Sequence, residues 1–361
     1  MYETSVRKLQ EGDVLAKPIV GINGMMILGQ GTQLTPYYIK RLIERGVNKV
    51  HIEQERVTKP AIKTGYQMPR RNRDFIYKAV MARVNTFMTN SVELSTWKQA
   101  RLEHLLRQAI VDILAQPKAV ELLFSLYEYD PYLFAHSLNV AIWSGLMGME
   151  RAYNSAQMLE LTLGALLFDI GMTQMPVDIV QSDGMLSEDQ WLKMKEHTSI
   201  GYHIMLGVEG MPQLSAECAL QHHERFDGSG YPQRLPGRGI TEYAQIVALA
   251  DCYDALISSR RHRGAYKVQE AIEFMFAAGN YYFDAELIRD FLKPIIAYPL
   301  SSILTLSSGQ IGVVSSYRSA MAHRPVVRII RESNGNAVIT PYELDLASAC
   351  NITVVSCTCT A

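Results

Sequence analysis

The chain has 361 residues, 48% of them hydrophobic, which is enough apolar material for two or three domains with a sizeable core. Thirty-five basic residues face 36 acidic ones, so no net field marks it for a nucleic-acid polymer or an anionic membrane surface. No apolar run approaches the ~20 residues of a membrane span, the start Met1-Tyr2-Glu3-Thr4 lacks a leader pattern, and five cysteines without regular spacing suit a reducing compartment; a cytoplasmic location is expected.

Residues 1–55 read as a small α+β module. Asp13 to Val20 and Gly24 to Leu28 are short extended segments. Thr35 is placed to cap a helix with Pro36 at its first position, Gly46 to end it, and Val47 to Ile52 to form a strand. Residues 56–71, with Lys59-Pro60, Gly65 and Pro69-Arg70-Arg71, read as a linker. A helical domain is expected over 72–296. Leu102, Leu105, Leu106, Ala109, Ile110 and Ile113 recur at three- and four-residue steps, as do Leu159, Leu163, Leu166 and Leu167.

The period changes over 297–361. Ile303 to Leu306, Ile311 to Val314, Pro325 to Ile330 and Ala337 to Thr340 read as strands, broken at Gly309 and at Asn334-Gly335-Asn336, so a small β domain is expected. Cys357 and Cys359 have no second ligand pair nearby and are expected to be incidental at a frayed tail.

The densest chemistry lies in His222-His223-Glu224-Arg225-Phe226-Asp227-Gly228-Ser229-Gly230-Tyr231-Pro232. Neighbouring helical residues point about 100° apart, so two adjacent histidines serve one site only where the helix ends. The glycines and Pro232 then stop the helix and let the backbone come close to a ligand.

This run resembles the signature of the HD-GYP family, a bacterial branch of the HD metal-dependent phosphohydrolases whose usual substrate is cyclic di-GMP. His136-Ser137-Leu138-Asn139, then His197 with Gly201, and Ala250-Asp251-Cys252-Tyr253-Asp254-Ala255 resemble the family's other blocks in the family's order, over about half the chain. The resemblance implies a mainly α fold: an all-helical HD-GYP core, here flanked by the N-terminal α+β module and the C-terminal β domain. Both flanks look like accessory regions that accompany such cores.

The resemblance also implies hydrolysis of a phosphodiester assisted by two or three divalent metals. His136, Asp169, His197, His222, His223 and Asp251 stand at the family's ligand positions, with Asp169 as the bridging and catalytic carboxylate. Arg225, Gly230, Tyr231, Pro232, Arg260 and Arg263 stand on its substrate side. Three positions depart from the pattern. Phe168 replaces the namesake histidine and has no lone pair to give, Met172 replaces a lysine, and Tyr132, expected as a neutral buried phenol, replaces a glutamate.

From these departures we expect one surviving metal site on Asp169, His197, His222 and His223, with a weak second on His136 and Asp251. Iron or manganese is the expected ion. The expected function is binding of a cyclic dinucleotide or related phosphate ligand, with weak or absent phosphodiesterase activity, in a protein able to form a homodimer. Two alternatives stand beside it: an active cyclic di-GMP phosphodiesterase on one or two metals, and a protein-interaction scaffold. For the cluster itself, a set of residues satisfying one another without metal is the alternative.

Overall fold

Apolar residues at helical spacing build helices through most of the chain, and alternation takes over near its end. The computed structural model describes residues 2–9, 13–20, 26–29, 32, 34, 36–44, 46–52, 70–90, 96–180, 182, 185–259, 264–317 and 321–358. Gly24, Thr35, residues 56–69 of the linker, Arg260, Arg263 and Cys359 lie outside them. The chain divides into two units, 1–66 and 67–361, and the helices share the second with the C-terminal sheet.

In the first unit β1 (Tyr2–Ser5), β2 (Ile19–Val20), β3 (Met26–Leu28), α1 (Pro36–Glu44) and β4 (Lys49–Ile52) follow one another. β1 pairs antiparallel with β4, and β2 with β3. Val6, Leu15, Leu34, Leu42, Val50 and Ile52 form its small core. Gly46, at φ +72°, lets the chain leave α1 in a conformation that other residues resist.

The second unit opens with α2 (Arg70–Asn90), two residues ahead of the expected domain start at 72. Ile76, Val80, Val84 and Phe87 give α2 a buried stripe at helical spacing. There follow α3 (Thr96–Leu114), α4 (Pro117–Tyr129), α5 (Pro131–Glu150), α6 (Ser155–Leu167), a 3-10 turn (Ile170–Gln174), α7 (Val177–Val180), α8 (Glu188–Leu206), α9 (Gln213–Gln221), α10 (Glu242–Ile257), α11 (Val268–Ala277) and α12 (Ala285–Leu292). α5 is buried on nearly every side and packs against α3, α4, α6 and α10, so it forms the axis of the bundle. Among the described residues no helix is long and apolar enough to cross a membrane.

Helix ends are set by side chains. Asp130 accepts the Tyr132 N–H (2.8 Å) at the start of α5, with Pro131 at the first helical position. Reciprocal capping boxes, Asn154 with Gln157 and Ser187 with Gln190, start α6 and α8. Gln221, the last residue of α9, accepts both the N–H and the hydroxyl of Thr241 (2.9 and 3.1 Å), which ties the end of α9 to the start of α10.

After α12 come β5 (Ile303–Leu306), β6 (Ile311–Ser316), β7 (Val326–Arg331), β8 (Ala337–Asp345) and β9 (Val354–Thr358), an antiparallel sheet in the order β8-β7-β6-β5-β9. Leu304, Leu306, Val314, Val327, Ile329 and Leu346 make its core. Gly309 and Gly335, at φ +83° and +82°, turn its first and third hairpins. The expectation of a frayed tail is corrected here. β9 pairs with β5, Leu304 standing opposite Cys357, because Val354 and Cys357 pack against the sheet's core.

The 3-10 turn lies hard against α8 at two glycines. A Cβ on Gly171 would overlap the His197 carbonyl, and the Gly171 N–H lies 3.2 Å from where a Gly201 Cβ would stand. Gly171→Ala should lower stability by about 1–3 kcal/mol in urea titration, the cost of overpacking a close contact. Gly264→Ala, with open space around it, should stay within about 0.5 kcal/mol.

Candidate metal centre

Five segments carry the site: the first turns of α5, the junction between α6 and the 3-10 turn, α8, the end of α9, and the middle of α10. α6 stops at Leu167, so Phe168 closes the helix and Asp169 turns out of it. α9 stops at Gln221, and this ending lets the adjacent His222 and His223 serve one place.

Three imidazoles converge. His197, His222 and His223 place ligand atoms within 4.8 Å of one another. His197 donates its Nδ1 proton to the Met194 carbonyl (2.5 Å), and His222 donates its own to the carbonyls of Cys218 and Ala219 (3.0 Å each). With both Nδ1 positions so occupied, the Nε2 atoms are the ligand atoms. They face one another at 3.3 Å, and the Asp169 carboxylate lies 3.6 Å from each.

Two lone pairs aimed at one point in a buried space repel unless a cation sits between them. The acid–base balance of the cluster follows from that demand. Burial opposes charge on His222, but Asp169 outweighs burial and raises its pKa. Burial, then the neighbouring imidazoles, hold His223 well below the usual range, and burial holds His197 down. Burial would raise Asp169, yet His222 and His197 hold its carboxyl far below the usual carboxylate range. Three imidazoles with a carboxylate beside them suit a divalent transition metal.

His136 and Asp251 are placed differently. His136 on α5 is held at both ring nitrogens, Nε2 by Asp251 (2.8 Å) and Nδ1 by Asp254 (2.7 Å), both carboxylates coming from α10. Burial opposes charge on His136, but the two carboxylates outweigh it and push its pKa up to about 10. An imidazolium with both N–H groups donated has no lone pair to offer. Asp254 was not among the sequence's candidate residues, although its i+3 spacing from Asp251 places both on one face of α10.

Phe168 stands between the two groups. It is 1% exposed, and its ring meets His222 edge to face at 4.9 Å and His136 at 5.9 Å. Met172 is partly buried and packs against the bundle core. Tyr132 is 41% exposed rather than buried, because it sits on the outer face of the first turn of α5, stacked parallel to His136 at 6.2 Å.

The loop after His223 returns to the cluster. The Tyr231 N–H donates to the His223 carbonyl (3.1 Å), and the Tyr231 ring lies against the His223 ring at 4.8 Å. Gly230 is required there, since a Cβ would run into the backbone of Glu224 and Arg225. Pro232 follows through a cis peptide bond. Arg225 is exposed, with its guanidinium 4.2 Å over the Tyr282 ring, at the base of the same loop.

Glu224 anchors this loop, a role its place in the run did not reveal. It is 3% exposed and accepts the N–H groups of Gln233, Arg234 and Leu235 at 2.6, 3.0 and 2.9 Å. Glu224→Ala strips three backbone N–H groups of their acceptor. Hydrogen exchange should show the amides of residues 233–235 losing protection while those of α5 keep theirs. Unchanged protection at 233–235 would refute the anchoring role.

Residues 122–287 match the family model of the HD domain, and residues 303–359 that of the KOW domain associated with HD domain. The cyclic di-GMP phosphodiesterase PA4108 of Pseudomonas aeruginosa is 29% identical over 250 residues, 69% of this chain and 60% of that protein. The cyclic di-GMP phosphodiesterase response regulator RpfG of Xanthomonas campestris pv. campestris is 34% identical over 151 residues, 42% of this chain and 40% of that protein. A cyclic di-GMP phosphodiesterase of Thermotoga maritima is 36% identical over 179 residues, 49% of this chain and 48% of that protein. The chain thus spans 40 to 60% of the length of these relatives. Its helical region is thus similar to HD domains, and its C-terminal sheet to the KOW domain associated with them.

Proposed function

We propose that this chain binds a cyclic dinucleotide over a single metal ion and hydrolyses it weakly or not at all. The observation that carries this reading is Phe168, whose ring meets His222 of the convergent set and His136 of the hydrogen-bonded trio His136, Asp251 and Asp254, and offers a lone pair to neither. The three convergent imidazoles, with the Asp169 carboxylate 3.6 Å from two of them, fit one ion, iron or manganese by the mix of imidazole and carboxylate. When bound, that ion supplies Lewis acidity to a phosphodiester oxygen.

The remaining roles belong to the chain. His136 is held as a cation by Asp251 and Asp254, so a second ion there would have to displace a proton already shared with two carboxylates. Tyr231, Gly230 and Pro232, positioned by Glu224, present a wall for the ligand beside His223, and Arg225 stands at the loop's base for phosphate. Arg260 and Arg263 are proposed as further phosphate contacts. Met172, packed on the core, brings no charge to this wall.

A second reading, an active phosphodiesterase on one metal, is favoured by the intact convergent set and by the names of the relatives. Metal analysis and product analysis separate the two. Protein purified without chelator should carry roughly one transition-metal ion per chain, and His222→Ala should lose it. Supplied with iron or manganese, it should bind cyclic di-GMP and release little or no linear product. Turnover like that of intact phosphodiesterases would establish the second reading. Phe168→His with Met172→Lys should raise the metal content toward two ions, and an unchanged content in that variant would refute the role given to Phe168.

A further inference from the structure

Outside the loop, α8 presents a second feature to Tyr231. Trp191 and Lys195 lie one helical turn apart on the same face of α8. The Lys195 ammonium stands 5.5 Å from the centre of the Trp191 ring and 5.3 Å from that of Tyr231, and the two rings meet edge to face at 6.2 Å. The other side of this arrangement is the metal cluster, since Tyr231 lies against His223 at 4.8 Å and His223 faces His197. Rings therefore run without interruption from the convergent histidines, through Tyr231, to Trp191 at the surface.

Two properties make this a binding surface and not only packing. Among the described residues no carboxylate lies within salt-bridge distance of Lys195, whereas Lys193, two residues before it, is paired with Glu196 at 2.7 Å. Trp191 is 45% exposed, leaving much of a large indole surface open to solvent beside an ammonium that no carboxylate among the described residues pairs. An exposed ring beside such an ammonium is complementary to a molecule that joins a flat base to a phosphate.

We infer that Trp191 and Lys195 form a nucleotide clamp at the outer rim of the metal centre: Lys195 takes a phosphate of the ligand, and Trp191 stacks on the base attached to it. The inference rests on the cyclic-dinucleotide reading above, because it assigns that ligand's outer half to α8. It also gives the ligand a cationic contact that depends on neither Met172 nor the arginines after α10. Lys195 and Trp191 act as specificity residues, deciding which phosphate esters remain over the metal.

The test is titration of the metal-loaded full chain with cyclic di-GMP, followed by calorimetry and by tryptophan fluorescence. Lys195→Gln should raise the Kd roughly tenfold or more, the size of a lost hydrogen bond to a charged group, and Lys195→Arg should stay within about threefold of the parent. Ligand should quench the fluorescence of the parent, and Trp191→Phe should abolish that quench while the melting temperature stays unchanged. If the parent binds and both Lys195→Gln and Trp191→Phe match it in affinity and in quench, the clamp is refuted and the binding reading stands. If the parent itself binds neither cyclic di-GMP nor a cyclic GMP-AMP, both fall together.

Discussion

Two imidazole nitrogens held 3.3 Å apart and facing each other are the constraint around which this site is organised. Each is fixed from behind, His197 by the Met194 carbonyl and His222 by the carbonyls of Cys218 and Ala219, so neither ring can turn its lone pair away. A buried pair of this kind is stable only with positive charge between its members and negative charge beside it, and Asp169 supplies the latter. The close approach at Gly171 and Gly201 brings Asp169 to α8, and the bond from Gln221 to Thr241 sets the end of α9 against α10. Much of the local architecture thus serves to hold three imidazoles together with a carboxylate beside two of them.

The other group is tied together by hydrogen bonds among its own members. His136 donates one proton to Asp251 and the other to Asp254, a closed set of charges in which every ring nitrogen has a partner. Phe168 lies against both groups. Its ring presents an edge to each imidazole and offers neither a lone pair nor a proton to either.

The loop from Glu224 to Leu235 illustrates how a short motif divides its labour. His223 and Tyr231 face the cluster, Gly230 allows the backbone to double back, and Glu224 turns away from the site to gather three N–H groups. A buried carboxylate that accepts three N–H groups is a strong local anchor, since it would otherwise be left buried without donors. The C-terminal sheet follows a similar logic at larger scale: β9 returns to cover β5, which would otherwise lie at an open edge.

The sequence alone determined the helical core and the strands from Ile303 onward. Those features are written in local terms, as spacing of apolar residues and turn-forming glycines. It also pointed to Phe168 and Met172 as departures, since the loss of a lone pair or a charge is a property of the residue itself. The tertiary structure alone decided what stood in the vacated places: that Phe168 would face two imidazoles at once, that Met172 would join the core, that Tyr132 would be exposed, and that Asp254 would take the second nitrogen of His136. The return of β9 to the sheet and the grip of Glu224 on its loop were equally hidden. The physical reason is the same in each case. A hydrogen bond or a ring contact between residues far apart in the chain depends on where helices and strands pack, and no local pattern of residues carries that distance.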